Sequence, residues 1–186
     1  MSNVIYHPSG PYGALPYPCA AGSQAEHVHP YLRIVIDGQN VTIPGDVGIL
    51  GGGSCLEPIH THDASGILHI EPSAAGTQFT LNDFFQIWKS TFGNVSINGI
   101  QHPTVFNSTD ILGFRADSTH NVTLLVDGHA SKEWGSLALN QLDYCNANTT
   151  GPPCKPTALG EPYWNGKEYP YGTLHTIVIV YNTVSR

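Results

Sequence analysis

The chain has 186 residues, which suits one domain of about 100–200 residues with a core of its own. Only 11% of its residues are charged, against roughly 25% in an average soluble protein, and its net charge is −7. With seven Lys and Arg and no basic stripe, nucleic acid is excluded as an expected partner. No apolar run reaches the 18 or so residues of a membrane-spanning helix, so no transmembrane segment is expected.

Gly and Pro together with β-rich runs such as Leu32–Ile36 and Thr176–Tyr181 indicate an all-β or β-rich domain. Residues 1–24, rich in Pro, Gly and Tyr, read as an extended N-terminal arm held at Cys19, ahead of a single domain over 25–186. A strand is expected from His27 to Ile36, turning at Asp37-Gly38 into Asn40–Ile43, and Gly51-Gly52-Gly53 reads as a flexible connector.

The run Ile59 to Glu71 carries most of the chemistry. Read as a β-hairpin, it turns at Asp63-Ala64-Ser65-Gly66, which pairs His60 with His69 and His62 with Ile67. Side chains two apart on a strand share a face, so His60, His62, His69 and Glu71 all point one way. Opposed Cβ atoms lie about 4.5–5.5 Å apart, close enough for three imidazoles and a carboxylate to meet at one ion. His27 and His29 repeat the same-face spacing and are candidates to complete the site, while Asp63 and Glu71 are either ligands or carboxylates that orient the imidazoles. A single His in a strand is ordinarily a hydrogen-bonded polar residue, but five clustered with a carboxylate each need a buried partner that a metal ion would supply. Imidazole ligation suits Cu or Zn, with Fe as a further candidate. His7, His102, His120 and His129 read as ordinary surface histidines.

One helix is expected after the hairpin. Thr80 is its N-cap, Asp83 sits at its positive end, Leu81, Phe84, Phe85 and Trp88 form a core-facing stripe, and Gly93 ends it. Further strands are expected at Val95–Ile97, Ile111–Arg115 and Val122–Val126, with a turn at Asp127-Gly128. Residues 140–172 read as a long flap, and the closing strand as Leu174–Tyr181. The expected architecture is a β-sandwich or barrel with one helix packed on it.

Five Asn-x-Ser/Thr sequons, at Asn40, Asn94, Asn107, Asn121 and Asn148, point to a secreted glycoprotein whose leader lies outside this numbering. The four cysteines agree: Cys145 and Cys154 bracket a Pro-rich loop, leaving Cys19 to pair with Cys55, although sequence alone allows three connectivities. No Cys-x-x-Cys occurs, which disfavours thiolate zinc and c-type haem.

The string His27-Val28-His29, Asp37-Gly38, Ile43-Pro44, Gly48-Ile49, Cys55, His60-Thr61-His62-Asp63-Ala64-Ser65-Gly66, His69, Glu71 and Phe79-Thr80-Leu81 to Trp88 resembles a family of predicted secreted bacterial and archaeal proteins with no assigned activity. The likeness spans roughly residues 27–92 and the last strand. It implies a place for His175, ahead of that strand, among the metal ligands. The flap at 140–172 departs from the family's shorter form. His60, His62 and a downstream Glu are also similar in kind to the ligands of cupins, without the cupin spacing, so that likeness is an analogy of fold.

Three function classes follow: a secreted protein that binds or carries an ion, a structural subunit of an extracellular filament or layer with the ion as a clamp, and an extracellular hydrolytic or oxidative metalloenzyme. Besides the ion, copies of the chain itself are expected partners, docked through the N-terminal arm or through edge strands.

Overall fold

The computed structural model describes residues 19, 25–74, 76–142 and 175–184. The rest of the N-terminal arm, most of the 140–172 flap, Cys145, Cys154, Asn148 and His7 lie outside them.

Among the described residues the β-rich reading with a single α-helix holds. Strand β1 (Tyr31–Ile36) turns at Asp37-Gly38, both at positive φ, into β2 (Gln39–Val41), shorter than the expected Asn40–Ile43. β3 (Ile49–Leu50) and β4 (Cys55–Leu56) are joined by Gly51–Gly53, a single 3₁₀ turn with all three glycines at positive φ. β5 (Ile59–His60) and β6 (His69–Ile70) form the histidine hairpin, and α1 runs over Leu81–Phe92.

A hairpin and a small meander follow. β7 (Val95–Ile97) pairs with β8 (Ile100–His102), and β9 (Phe106–Asn107), β10 (Asp110–Ile111) and β11 (Phe114–Arg115) form a three-stranded sheet. The single strand expected over Ile111–Arg115 is thus two, broken where Leu112 and Gly113 both take positive φ. β12 (His120–Val126) turns at Asp127-Gly128 into β13 (His129–Ser131), and β14 spans Thr176–Thr183.

The largest sheet among the described residues is mixed, in the order β13-β12-β14-β1-β2. β14 lies at its centre, parallel to β1 and antiparallel to β12, which explains the near-continuous burial of Ile177, Val178 and Ile179. β1 has a covered and a half-exposed face, so Leu32, Ile34 and Ile36 are buried while Tyr31, Arg33 and Val35 are half-exposed. His27–Pro30 stand outside this sheet. Val28 instead bridges Ile70, so the strand expected from His27 divides its pairing between the hairpin and the sheet.

Helix α1 forms as the sequence predicts. The Thr80 hydroxyl accepts from the Asp83 amide, and the Asp83 carboxylate accepts from the Thr80 amide at 2.8 Å, a complete capping box. Leu81, Phe84, Phe85, Ile87 and Trp88 are buried, each contributing about 1.5–3 kcal/mol of apolar burial. Thr91 ties the far end of the helix to the loop before the hairpin by accepting from the Gly48 amide at 3.0 Å.

Cys19 is bonded to Cys55, as expected, closing a loop of 36 residues that is worth about 3–4 kcal/mol through restriction of the unfolded chain. None of the described helices is long and apolar enough to cross a membrane. Thr80→Ala is expected to lower the unfolding free energy by about 0.5–2 kcal/mol without changing the urea m-value, as measured by chemical denaturation.

Candidate metal centre

The hairpin takes the expected register, with Ile59 opposite Ile70 and His60 opposite His69. Its loop is closed by side chains. Asp63 Oδ1 accepts from the Ser65 amide at 2.8 Å, and Ser65 Oγ accepts from the Ile67 amide at 3.2 Å. Gly66 ends the loop at φ +84°, where a Cβ would stand 2.5 Å from the Leu32 carbonyl oxygen. No larger residue fits that approach.

A third segment lies on the hairpin. Bridges from Val28 to Ile70 and from Tyr31 to Ile67, both antiparallel, set residues 28–31 against β6. Backbone bonds from Leu32 to Gly66, from Leu68 to Pro30 and between Val28 and Ile70 hold them there. That register places His29 opposite His69 and His27 opposite Glu71. The result is a row of imidazoles across three neighbouring segments, with His69 in the middle.

The rings are close. His69 stands 4.4 Å from His62, 4.5 Å from His29 and 5.3 Å from His60, centroid to centroid. Donor nitrogens of His60, His62 and His69 lie within 4.8 Å of one another, and so do those of His27, His29 and His69. A tetrahedral zinc with nitrogen bonds of about 2.0–2.1 Å needs donors about 3.4 Å apart, within reach of small side-chain rotations.

His60 is fully buried, and its Nδ1 stands 2.9 Å from the Glu57 carbonyl oxygen. A carbonyl only accepts, so Nδ1 carries the proton and Nε2 presents a lone pair to the cluster. That Nε2 and His69 Nδ1 are buried with no hydrogen-bond partner. Thr61 fixes the strand between His60 and His62, donating to the Pro44 carbonyl at 2.8 Å and accepting from the Val47 amide at 3.1 Å.

Glu71 is buried among the rings. Its Oε1 lies 2.8 Å from His27 Nε2, 3.5 Å from His69 Nδ1 and 3.8 Å from His60 Nε2. Burial depresses the pKa of His60, and burial together with the neighbouring imidazoles holds His69 down to about 3. The site is therefore built to keep these rings neutral, the form that ligates metal.

Two residues expected in the site lie outside its converging rings. Asp63 is exposed in the hairpin loop, its carboxyl held below the usual range by hydrogen bonds from Ser65. His175 sits at the head of β14, where its Nδ1 donates to Asp127 Oδ2 at 2.6 Å, while Asp127 Oδ1 accepts from the Thr176 amide. Among the described residues, neither belongs to a group of converging donors. Sequence reasoning passed over Glu57, whose backbone carbonyl leaves no side-chain signal. Of the histidines read as surface residues, His120 stacks flat on Tyr181 at 4.9 Å, and His102 stacks on Phe114 at 4.7 Å.

The pH response of the metal-free protein follows from these shifts. A histidine whose folded pKa lies below its unfolded value of about 6.5 takes up its proton more readily when unfolded. Its contribution to stability is complete above about pH 6.5 and is lost as pH falls toward its folded pKa. The chelator-treated protein is expected to melt at a lower temperature at pH 5 than at pH 7.5, and the His69→Gln variant is expected to show a weaker dependence. An equal Tm at the two pH values would contradict the assignment.

Compared with protein-family models, curated proteins and solved structures, the chain matches none of them.

Proposed function

We propose that this is a secreted, glycosylated protein that binds a transition-metal ion, Cu(II) or Zn(II), through His60, His62 and His69. The observation that carries this reading is the buried His60 ring. It is locked by the Glu57 carbonyl so that its bare Nε2 faces two other imidazoles. Leaving a buried polar atom without a partner costs about 1–3 kcal/mol, which an ion in the cluster would offset. All-imidazole ligation favours Cu(II) and Zn(II) over Ca or Mg, with Fe a weaker fit.

Secretion draws support from the Cys19–Cys55 bond, a feature of oxidising compartments. Glycosylation is supported by the placement of the sequons. Asn40, Asn94, Asn107 and Asn121 are all exposed. At Asn107 the side-chain oxygen accepts from Thr109 in a tight turn, which leaves the amide nitrogen out of that turn.

A metalloenzyme is the second reading, favoured because His62 is exposed and gives an ion at this cluster a side toward solvent. Three protein ligands with a bound water would serve catalysis, whereas recruitment of Glu71 as a fourth would close the shell.

Chelator-stripped protein is expected to regain Cu(II) or Zn(II) on dialysis against the ion, as read by elemental analysis. His60→Ala and His62→Ala are each expected to weaken binding at this cluster about tenfold or more, while His129→Ala leaves it unchanged. A His60 variant that keeps both the ion content and the affinity of the unsubstituted protein would reject the site. Protein purified from its native source is expected to lose mass on enzymatic removal of N-linked glycans, with the modified peptides mapping to the exposed sequons.

A further inference from the structure

The ion site proposed above uses three of the five histidines gathered at the hairpin, and the present inference rests on that reading. Among the described residues the donors converge as two groups of three, with only His69 in common. Strand register explains the division. β6 has His60 opposite His69 on one side, and the 28–31 segment has His29 opposite His69 on the other. His62 stands edge-on to His69 with its ring at 83°, and His29 stands edge-on at 85°. His27 and His29 are themselves in contact, their centroids 4.3 Å apart.

An imidazole has two ring nitrogens that point away from each other, so one ring can serve two ions. Glu71 spans the same division: its Oε1 contacts His27 of one group at 2.8 Å and faces His60 of the other at 3.8 Å. We propose that the hairpin holds a pair of Cu(II) or Zn(II) ions, one at His60, His62 and His69 and one at His27, His29 and His69. His69 gives one ring nitrogen to each, and Glu71 lies between them. With metal–nitrogen bonds of about 2.0 Å on either side of the ring, the ions stand about 6 Å apart. A neutral imidazole offers a single lone pair. Binding of the second ion therefore releases the remaining N–H proton of His69 to solvent, and no electron changes hands.

The test uses the full chain, chelator-stripped and titrated with Cu(II), read by native mass spectrometry and by electron paramagnetic resonance. Two ions per chain are expected, with the spin signal at two equivalents falling below that at one because the shared ring couples the two copper spins. His29→Ala and the more exposed His27→Ala are each expected to bind one ion with its full uncoupled signal, and His60→Ala is expected to retain one ion at the other group. Circular dichroism confirms that each variant is folded, and the exposed position of His27 keeps the test open if the buried His29 variant is not. Saturation at one ion per chain overturns the paired centre and leaves the single site standing. Two ions with fully additive signals, both kept in the His27 variant, also overturn it. No bound ion at all rejects the proposed function itself.

Discussion

The arrangement of β6 between two partners is the constraint on which the site depends. Hydrogen bonds run from the Glu71 amide to Pro58 on one side and between Val28 and Ile70 on the other. With both edges paired, β6 has no freedom to slip. Its alternation then sorts the side chains. Leu68 and Ile70 go to the apolar interior with no exposure, while His69 and Glu71 go to the histidine cluster. A slip of one residue would exchange those faces, placing an imidazole and a carboxylate in the core and two aliphatic chains among the rings. The core and the site thus enforce each other: the energy that holds Ile70 and Leu68 inside is the energy that aims His69.

The cluster is an expensive thing for a fold to maintain. Buried imidazole nitrogens lacking hydrogen bonds cost free energy, and the shifts at His60 and His69 show that the fold resists charging them. A core built for stability alone would fill these positions with Leu or Val. The expense is carried elsewhere, by the aromatic face of α1 in the apolar core, where Phe84 and Trp88 are fully buried, and by the capping box at Thr80. Such a division, with a stable frame and a locally unfavourable polar cluster, is the usual physical signature of a binding site.

Much of this was legible in the sequence because it depends on local rules. The hairpin register followed from a four-residue polar loop ending in Gly66, and the helix followed from Thr80, Asp83 and an apolar period of 3.6 residues. What escaped was set by long-range pairing. The alternation of His27 and His29 showed that they share a face, but nothing local says that Val28 lies against Ile70. The single-strand reading of Ile111–Arg115 failed because Leu112 adopts positive φ, a conformation that its side chain disfavours and that no propensity rule anticipates. His175 carried no local sign of its partner, since Asp127 lies 48 residues away and meets it only because β12 and β14 are neighbours. The β-rich class was the easiest inference, because composition and alternation report it at every strand.

The disulfide and the cluster are also mechanically joined. Cys55 sits in β4, two residues before Glu57, whose carbonyl orients His60, and three before Pro58, whose carbonyl pairs with Glu71. The Glu57 amide in turn donates to Gly48 at 2.8 Å, and Gly48 is tied to Thr91 of the helix. A short chain of covalent and hydrogen bonds therefore runs from the N-terminal segment at Cys19, through β4, to the ring whose lone pair faces the other imidazoles. Oxidising surroundings, which preserve such a bond, also keep thiols scarce, and thiolates are the ligands that most strongly compete with imidazole for copper and zinc. Disulfide and imidazole cluster are thus suited to one chemical setting, and the first helps to hold the second in shape.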